Sequence, residues 1–378
     1  MRVLSNIMVY YRKNRSLWHR NVLFVVGVLF LFLVLVGHGG TQSSAASSNS
    51  AYKRIWSGIR EDMVSGSEER VLTHLFSLPT ERWSPLRIGR YVPENDTGLA
   101  SDERPRPYAF LCVTPDLVCD HMMLTGGFWD REFVHDIFSL ARRLSPPGRG
   151  YGKIVMDVGM NYGSFSLFAA ALGYRVHAFE MQPDVAATVT MSARLNGDLA
   201  QRLRIHQFAI DDKPGAPVNY VRYEGNIGMA HVVSPDDHGD GVQKVAVKTI
   251  RLDSLLDRWQ RETGESIPGV FFMKIDVEGH DMKALRSLGQ KWLQRVDHLV
   301  MEVNDAVPAY REAPTYLAER GFMCQVVGDG EAAHVHRFTT NPSLKLPSYG
   351  TLWCARAPVV RRLQRAQRDL AERTAETA

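Results

Sequence analysis

Short apolar runs and amphipathic stretches alternate along the chain from residue 153 onwards. Continuous apolar runs are typical of strands buried on both faces, and helical apolar spacing is typical of the helices that cover them. This pattern predicts strands at residues 154–158, 175–179, 203–210, 270–275, 299–303, 322–327 and 351–356, with additional strands at 218–223 and 245–250. It predicts helices at residues 164–172, 183–196, 252–262, 279–288 and 309–320. Repeated strand–helix alternation predicts a mostly parallel sheet with helices on both faces.

The most apolar segment lies near the N-terminus, at residues 22–36, where every residue except Gly27 is Val, Leu or Phe. Five basic residues and no acid precede this run, and no Lys or Arg occurs between residues 37 and 50. Because a basic flank stays in the cytosol, the pattern predicts a signal anchor with the remainder of the chain in the lumen of the Golgi or endoplasmic reticulum. A cleaved signal peptide is the alternative, and it places the folded domain in the same compartment.

This interpretation divides the chain into five predicted segments. They are a basic cytosolic tail (1–21), a transmembrane signal anchor (22–37), a stem and pre-domain segment (38–104), a folded domain (105–357) and a charged C-terminal helix or tail (358–378). The formal charge of +4 comes from the two ends, so the middle of the chain is net acidic. A nucleic-acid-binding domain would carry its basic excess on the folded part, so no nucleic-acid partner is predicted.

Two further features agree with a lumenal position. Residues 95–97 read Asn-Asp-Thr, an acceptor triplet for N-glycosylation. The four cysteines permit three disulfide pairings. Cys112 and Cys119 are near enough in sequence to close a small loop, whereas Cys324 and Cys354 are equally compatible with buried free thiols. No two cysteines have the spacing of a zinc site.

A glycine-containing loop follows the first strand of the predicted sheet. Residues 153–163 read KIVMDVGMNYG, which places Asn161 between Gly159 and Gly163. A dinucleotide-binding loop needs glycine in the middle so that the backbone can approach a pyrophosphate, and Asn161 therefore argues against NAD or FAD. Glu180 ends the second predicted strand, where an acid can accept hydrogen bonds from both ribose hydroxyls of a nucleoside. The pattern predicts a nucleoside cofactor without a pyrophosphate, and S-adenosylmethionine meets that description.

Five segments, in this order, resemble the FkbM family of methyltransferases: DVGMNYGSFSLFAA, AFEMQP, TIRLDSLL, FFMKIDVEGHD and VMEVN. The resemblance covers about residues 105–328 and is clearest from 153 to 304. It implies a Rossmann-like methyltransferase fold with an antiparallel last strand, and S-adenosylmethionine as cofactor. It also implies cofactor contacts at Asp157, Gly159, Asn161, Gly163 and Glu180. Two positions depart from the family pattern, with Met181 in place of Pro and Asp281 in place of Glu.

Acidic residues follow two later strands of the predicted sheet. Asp276 and Glu278 follow one of them, and Glu302 lies at the end of the next. Ligands of an open α/β sheet bind at the carboxyl ends of its strands. Because a sugar hydroxyl is only weakly acidic, its methylation benefits from a nearby base or from a metal that acidifies it. We therefore predict Asp276, Glu302 and His280 as catalytic residues; the alternatives for Asp276 are that it holds the cofactor or caps the following helix. A divalent metal bridging Asp276 and Glu302 is an alternative that no motif supports, so no metal ligand is predicted.

Together, these expectations predict that the protein is an O-methyltransferase that acts on a hydroxyl-bearing acceptor. The resemblance favours oxygen as the methylated atom, because family members mostly methylate hydroxyls of sugars, polyketides and other glycosylated products. The lumenal position favours a carbohydrate acceptor, and the turn-rich residues 224–241 are a candidate substrate loop. Two alternatives remain open. One is a methyltransferase for a lipid-linked or diffusible secondary metabolite, and the other is a lumenal binding protein that kept the fold and lost turnover.

Overall fold

The structure is a computed structural model that describes residues 86–93, 104–144, 152–215, 217–223, 225–233, 243–328 and 331–377. The predicted cytosolic tail, the predicted anchor and the glycosylation triplet at 95–97 lie outside the described residues, as does most of the predicted stem. Among the helices that are described, none is both long enough and apolar enough to cross a bilayer.

Thirteen strands and ten α-helices make up the described residues. The strands are β1 (Leu86–Tyr91), β2 (Tyr108–Val113), β3 (Ile154–Val158), β4 (Val176–Phe179), β5 (Leu203–His206), β6 (Ala209–Ile210), β7 (Pro217–Arg222), β8 (His231–Val233), β9 (Gln243–Ile250), β10 (Val270–Ile275), β11 (Val296–Val303), β12 (Phe322–Gly328) and β13 (Gly350–Arg356). The helices are α1 (Leu117–Thr125), α2 (Asp136–Leu144), α3 (Ser164–Ala171), α4 (Pro183–Leu195), α5 (Leu199–Arg202), α6 (Leu252–Thr263), α7 (Asp281–Ser287), α8 (Gly289–Leu293), α9 (Ala313–Ala318) and α10 (Ala357–Thr377). A π-helical turn (Arg131–His135) and three 3₁₀ turns (Ile227–Met229, Pro308–Glu312 and Val335–Arg337) complete the set.

Seven of the strands form the central sheet, in the order β12-β13-β11-β10-β3-β4-β5. Strands β5, β4, β3, β10 and β11 are parallel, whereas β13 runs antiparallel to both β11 and β12. The prediction of a mostly parallel sheet with an antiparallel last strand is therefore confirmed. From β3 the chain order proceeds to β4 and β5 on one side, while β10 and β11 lie on the other. The gap between β3 and β10 is thus a topological switch point, where open α/β sheets bind their ligands.

Two hydrophobic clusters cover the two faces of this sheet. Successive residues of a strand point to opposite faces, so Val155 packs into one cluster while Ile154 and Met156 pack into the other. The first cluster is rich in aromatic rings from α2 and α3, and the second contains the buried Trp292 of α8. Burial on both faces explains why these strands appear in the sequence as continuous apolar runs.

Two predicted elements differ from the structure. The predicted strand at 203–210 is two strands, because β5 ends at His206 in the central sheet and β6 pairs with β9 in a separate four-stranded sheet. The predicted helix at 309–320 is a 3₁₀ turn followed by the short helix α9. The additional strands predicted at 218–223 and 245–250 correspond to β7 and β9, which pair antiparallel.

All four cysteines form disulfides. Cys112 of β2 bonds to Cys119 of α1, and Cys324 bonds to Cys354 between the paired strands β12 and β13. The small loop closed by the first pair agrees with the sequence, whereas free thiols at Cys324 and Cys354 were the wrong alternative. The first disulfide joins the N-terminal hairpin to a helix that lines the cleft described next.

Candidate active site

The glycine-containing loop lies between β3 and α3, pressed against the end of β10. Gly159 has a φ of +86°, and a Cβ at this position would lie 1.7 Å from the carbonyl oxygen of Asp276. Only glycine fits such an approach. The carbonyl oxygen of Gly159 also accepts a hydrogen bond of 2.8 Å from Lys274 Nζ. The loop is therefore fixed directly beside the residues that follow β10.

The predicted residues of this loop do not all face the same space. Gly159 and Asn161 line a cleft at the switch point, together with Glu180. Asp157 is fully buried beneath the loop, where it accepts a 2.6 Å hydrogen bond from Ser166 Oγ and lies 3.6 Å from Lys274 Nζ. Asp157 thus supports the loop from behind instead of lining the cleft.

Gly163 also lies away from the residues that line the cleft. It precedes α3 with a φ of +75°, and a Cβ there would lie 2.7 Å from Val189 of α4. Asp157 and Gly163, which were predicted to contact the cofactor, are thus not among the residues that line the cleft, and both shape the loop.

Glu180 sits at the carboxyl end of β4 and is 6% exposed. Its two carboxylate oxygens accept hydrogen bonds from the backbone N–H groups of Asn161 (3.1 Å) and Gln182 (2.9 Å). Burial raises the pKa of Glu180 to about 7, and the two N–H donors oppose that rise. The carboxylate lines the cleft and is fixed in orientation, as a ligand for a ribose diol requires.

Three carboxylates meet at the ends of β10 and β11. Oxygens of Asp276, Glu278 and Glu302 lie within 4.8 Å of one another. Glu278 lies beyond the end of β10, in a turn, with a φ of +51°. Such a group could hold a divalent cation, but Lys274 Nζ already lies 3.0 Å from Asp276.

Burial and mutual repulsion dominate the electrostatics of this acidic cluster. Burial, followed by the charge of Asp276, raises the pKa of Glu302 to about 10 and that of Glu278 to about 8. Asp130 belongs to the same electrostatic group, since burial and Asp276 raise its pKa to about 7. Lys274 is the cation of the group, and the opposing effect of burial does not prevent its pKa from rising beside Asp276 and Asp157. Among the described acids that line the cleft, Asp276 is the one with a lysine at ion-pair distance, because Lys274 Nζ lies 3.0 Å from it.

His280 and Asp281 take different positions although they are adjacent in sequence. His280 lines the cleft with its Nδ1 atom 3.7 Å from Asp211, and burial lowers its pKa. Asp281 is fully buried and accepts hydrogen bonds from Tyr310 Oη (2.7 Å) and from two backbone N–H groups of the preceding turn. Asp281, which departs from the family pattern, therefore holds the turn that carries Glu278.

One wall of the cleft comes from residues 225–230, within the predicted substrate loop. The N–H of Ile227 donates a 2.7 Å hydrogen bond to Asp116, whose other oxygen caps α1. A Cβ on Gly228 would lie 2.7 Å from Val118 and 2.8 Å from Asn161, so this wall is packed tightly against the cofactor loop. Residues 224 and 234–241 of the predicted loop lie outside the described residues.

The structure brings three further residues to the site that sequence reasoning missed. Lys274 lies inside an apolar strand, Asp130 lies in a turn after α1 with a φ of +50°, and Gln182 follows the ribose-binding candidate by two positions. Lys274 carried a signal, because a lone charge within a buried strand requires a partner. Asp130 carried none, since only the tertiary fold brings it near Asp276, and the one signal for Gln182 was its position two residues after Glu180.

Comparison with known proteins finds methyltransferases that are similar to this chain. Residues 157–324 match the family model described as Methyltransferase FkbM domain. "Methyltransferase 1" of Beauveria bassiana (strain ARSEF 2860) is 25% identical over 206 residues, which cover 52% of this chain and 82% of the relative. "31-O-demethyl-FK506 methyltransferase FkbM" of Streptomyces tacrolimicus is 27% identical over 201 residues, covering 45% of this chain and 73% of the relative.

Among solved structures, precorrin 8W decarboxylase of Methanobacterium thermoautotrophicum matches with a TM-score of 0.31 and 15% identity, over 58% of this chain and 88% of that one. A score of this size supports no argument about function. The family match runs from the end of β3 into β12 and includes most of the residues that line the cleft, whereas Leu117, Val118 and Trp129 precede it. These matches support S-adenosylmethionine-dependent methyltransferase activity for this chain, whose residues 157–324 match the methyltransferase FkbM domain.

Proposed function

We propose that this enzyme transfers the methyl group of S-adenosylmethionine to a hydroxyl oxygen of a glycan or glycoconjugate in the lumen of the secretory pathway. The observation that carries the choice of oxygen is the acidic cluster of Asp276, Glu278 and Glu302 beside the cofactor loop. A hydroxyl must lose its proton as it attacks, and a cluster of carboxylates is suited to receive it. The name of the Streptomyces relative likewise describes methylation at an oxygen, O-31 of FK506.

The cleft fits the cofactor in two respects. Glu180 presents a buried, oriented carboxylate for the ribose hydroxyls, and Gly159 and Asn161 form the adjacent loop. Apolar residues complete a slot that suits an adenine base, and they include Met181, Phe208 and Ile210. When bound, S-adenosylmethionine supplies an electrophilic methyl group on a sulfonium.

In the proposed reaction, the acceptor oxygen forms a bond to the methyl carbon while the carbon–sulfur bond breaks and its electron pair stays on sulfur. S-Adenosylhomocysteine and the methyl ether are the products. The hydroxyl proton passes to the carboxylate of Asp276, which lies in the cleft beside Lys274. Glu278 lines the cleft and binds a neighbouring hydroxyl of the acceptor, with Glu302 beside it in the acidic cluster, and His280 borders the same cleft.

Support for a lumenal position comes from the cysteines and the N-terminal segment. The two disulfides together use all four cysteines of the chain. Disulfides persist in oxidising compartments such as the secretory pathway. The apolar residues 22–36, with their basic flank, predict the membrane anchor that would retain the enzyme there. Hydroxyl-rich glycans are built in that compartment, and the acidic cleft suits neutral acceptors better than anionic ones.

A lipid-linked acceptor is the second candidate, because the rim of the cleft is apolar. Leu117 and Met229 line the cleft, yet they are 55% and 47% exposed. An acceptor that carries an apolar chain beside its sugar would cover both side chains. This candidate keeps the chemistry and changes only the acceptor.

The experiment is methyl transfer from labelled S-adenosylmethionine by the lumenal portion of the full chain, purified with its disulfides intact. The acceptor panel contains neutral glycans, the same glycans bearing sulfate or uronic acid, and lipid-linked glycans. We expect label in an alkali-stable ether on a neutral or lipid-linked glycan, and little on the anionic series. Binding of S-adenosylhomocysteine without transfer to any member would favour a protein that kept the fold and lost turnover. Label on nitrogen or sulfur would contradict the proposal.

A further inference from the structure

Gln182 occupies a buried position in the wall of the cleft, directly before α4. Its side chain is 3% exposed, and the residue lines the cleft two positions after Glu180. The backbone N–H of Gln182 donates to Glu180, so the residue is fixed relative to the ribose-binding candidate. The catalytic proposal above gives this side chain no role.

The orientation of the Gln182 amide is set by its partner. Nε2 donates a 3.1 Å hydrogen bond to the carbonyl oxygen of Ile227, and a carbonyl can only accept. The carbonyl of Ile227 is held in place, because it also accepts a 3.1 Å hydrogen bond from the backbone N–H of Ala230, and the N–H of Ile227 itself donates to Asp116. The NH₂ group of Gln182 therefore faces the wall at Ile227, and Oε1 faces away from it.

The oxygen of this amide lacks a hydrogen-bond donor. No donor among the residues that the structure describes reaches Gln182 Oε1, although the atom is buried. Buried polar atoms in folded proteins are nearly always paired, so an orphaned acceptor in the wall of a ligand cleft indicates a donor on the ligand. S-Adenosylmethionine has such donors on its nucleoside, namely the 6-amino group of adenine and the two ribose hydroxyls.

We infer that Gln182 Oε1 accepts a hydrogen bond from the nucleoside of the cofactor, which makes Gln182 a specificity-determining residue of the cofactor site. The two ends of the amide then have different partners. The NH₂ group donates to the wall at Ile227, and the oxygen accepts from the nucleoside. The inference rests on S-adenosylmethionine as the methyl donor and is independent of the acceptor.

The test combines a substitution with ligand analogues in binding calorimetry. The ligands are S-adenosylhomocysteine, S-inosylhomocysteine (which lacks the 6-amino group) and the 2′-deoxy and 3′-deoxy forms of S-adenosylhomocysteine. The proteins are the wild type, Gln182→Met and Gln290→Met. Gln290 is exposed on α8, so its variant controls for the chemical change itself. We expect Gln182→Met to lose about tenfold or more in affinity for S-adenosylhomocysteine, with no loss for Gln290→Met.

The analogue that lacks the bonded donor identifies the partner. Gln182→Met should bind the ligands that keep this donor about tenfold more weakly than the wild type does, and should bind the analogue that lacks it as tightly as the wild type does. If the substitution has no effect only with S-inosylhomocysteine, the partner is the adenine amino group; if it has no effect only with one deoxy form, the partner is that ribose hydroxyl.

A purely structural role of Gln182 gives a different result. If Gln182→Met weakens all four ligands by the same factor, the side chain acts only through Ile227 and the inference is overturned. If Gln182→Met fails to fold, Gln182→Asn replaces it, because Asn keeps the amide but shortens the side chain by one methylene. The same four ligands are then compared, with the same interpretation. Equal wild-type affinity for all four ligands overturns the inference without any variant. Undetectable binding of S-adenosylhomocysteine to the wild type would overturn the cofactor assignment as well.

Discussion

Glu180 shows how burial gives an ordinary residue a specific task. In water a glutamate side chain is ionised at neutral pH, but here burial raises its pKa to about 7. The carboxylate form accepts hydrogen bonds from ribose hydroxyls most strongly, because charge-assisted bonds exceed neutral ones. Affinity for S-adenosylhomocysteine should therefore rise as the pH increases from about 6 to about 8, and then level off.

The check is calorimetry across that pH range with wild type and Glu180→Gln. The variant should bind about tenfold more weakly at pH 8, since one or two charge-assisted bonds are lost. Its affinity should change little with pH. Asp130 has a pKa near the same value, so a residual slope in Glu180→Gln would assign that slope to the acidic cluster. Unchanged affinity in a folded Glu180→Gln would show that Glu180 is not the ribose ligand.

Asp276 should affect turnover more than any other acid apart from Glu180. Replacing it by Asn preserves its shape, removes the proposed proton acceptor and leaves Lys274 paired with Asp157. With an acceptor from the panel above, kcat should fall by a factor of about 10² or more while the affinity for S-adenosylhomocysteine changes little.

Two other outcomes for Asp276→Asn would change the assignment. A parallel fall in affinity and kcat would mean that Asp276 positions the cofactor instead of accepting the proton. An unchanged kcat would exclude it as the base and direct attention to Glu302. Activity that is lost with a chelator and restored by magnesium would assign the three carboxylates to a metal.

The sequence located most acids of the site but not how they are arranged. Asp276 and Glu302 could be predicted because each follows or ends a strongly apolar strand at the known ligand-binding edge. The position of Glu278 depends on a backbone with positive φ, which no pattern in the sequence specifies. Asp130 comes near Asp276 only through the packing of distant segments, and the orientation of the Gln182 amide depends on its contact with Ile227.

At the scale of elements, periodicity predicted the central sheet well because its strands are buried on both faces. Strands β3 and β10 coincide with the predicted apolar runs. The smaller sheet was harder to predict, because the apolar run at 203–210 continues through the point where the chain leaves one sheet and enters another. Which sheet a strand joins depends on the strands with which it forms hydrogen bonds, and periodicity contains no information about those partners.

The two disulfides should have different effects because they lie on different elements. Cys112–Cys119 braces α1, whose capping residue Asp116 holds the wall at Ile227. Replacing both cysteines by Ala should lower the free energy of unfolding by about 2–3 kcal/mol and also weaken S-adenosylhomocysteine binding.

The matched control replaces Cys324 and Cys354 by Ala. This pair closes a longer loop, so its removal should cost more stability, about 3–4 kcal/mol, and yet leave the cofactor affinity unchanged. Urea unfolding and calorimetry measure the two quantities separately. Equal effects of both double variants on binding would show that the wall does not depend on the brace at α1.

At the scale of the whole molecule, charge and apolarity are distributed unevenly along the chain. Basic residues cluster at both ends, the apolar run at 22–36 follows the first cluster, and the acidic cleft lies in the domain between. This distribution favours a membrane-anchored enzyme whose domain meets neutral polar acceptors. The disulfides and the acidic cleft are compatible with a lumenal domain, and both would be present in the fold whether or not the chain is anchored.

The proposed topology, with one N-terminal anchor and the domain in the lumen, is based on the positive-inside rule. It can be tested on the full chain with a C-terminal tag. In sealed microsomes, added protease should remove only the short basic tail, and the tagged domain beyond residue 50 should stay intact. Detergent should then expose the domain, which controls for intrinsic resistance. Modification of Asn95, seen as a mass shift removed by a glycosidase, would report lumenal exposure independently. Cleavage within the domain before detergent is added would place it on the cytosolic side and remove the main reason for a glycan acceptor, while leaving the methyltransferase chemistry of the cleft untouched.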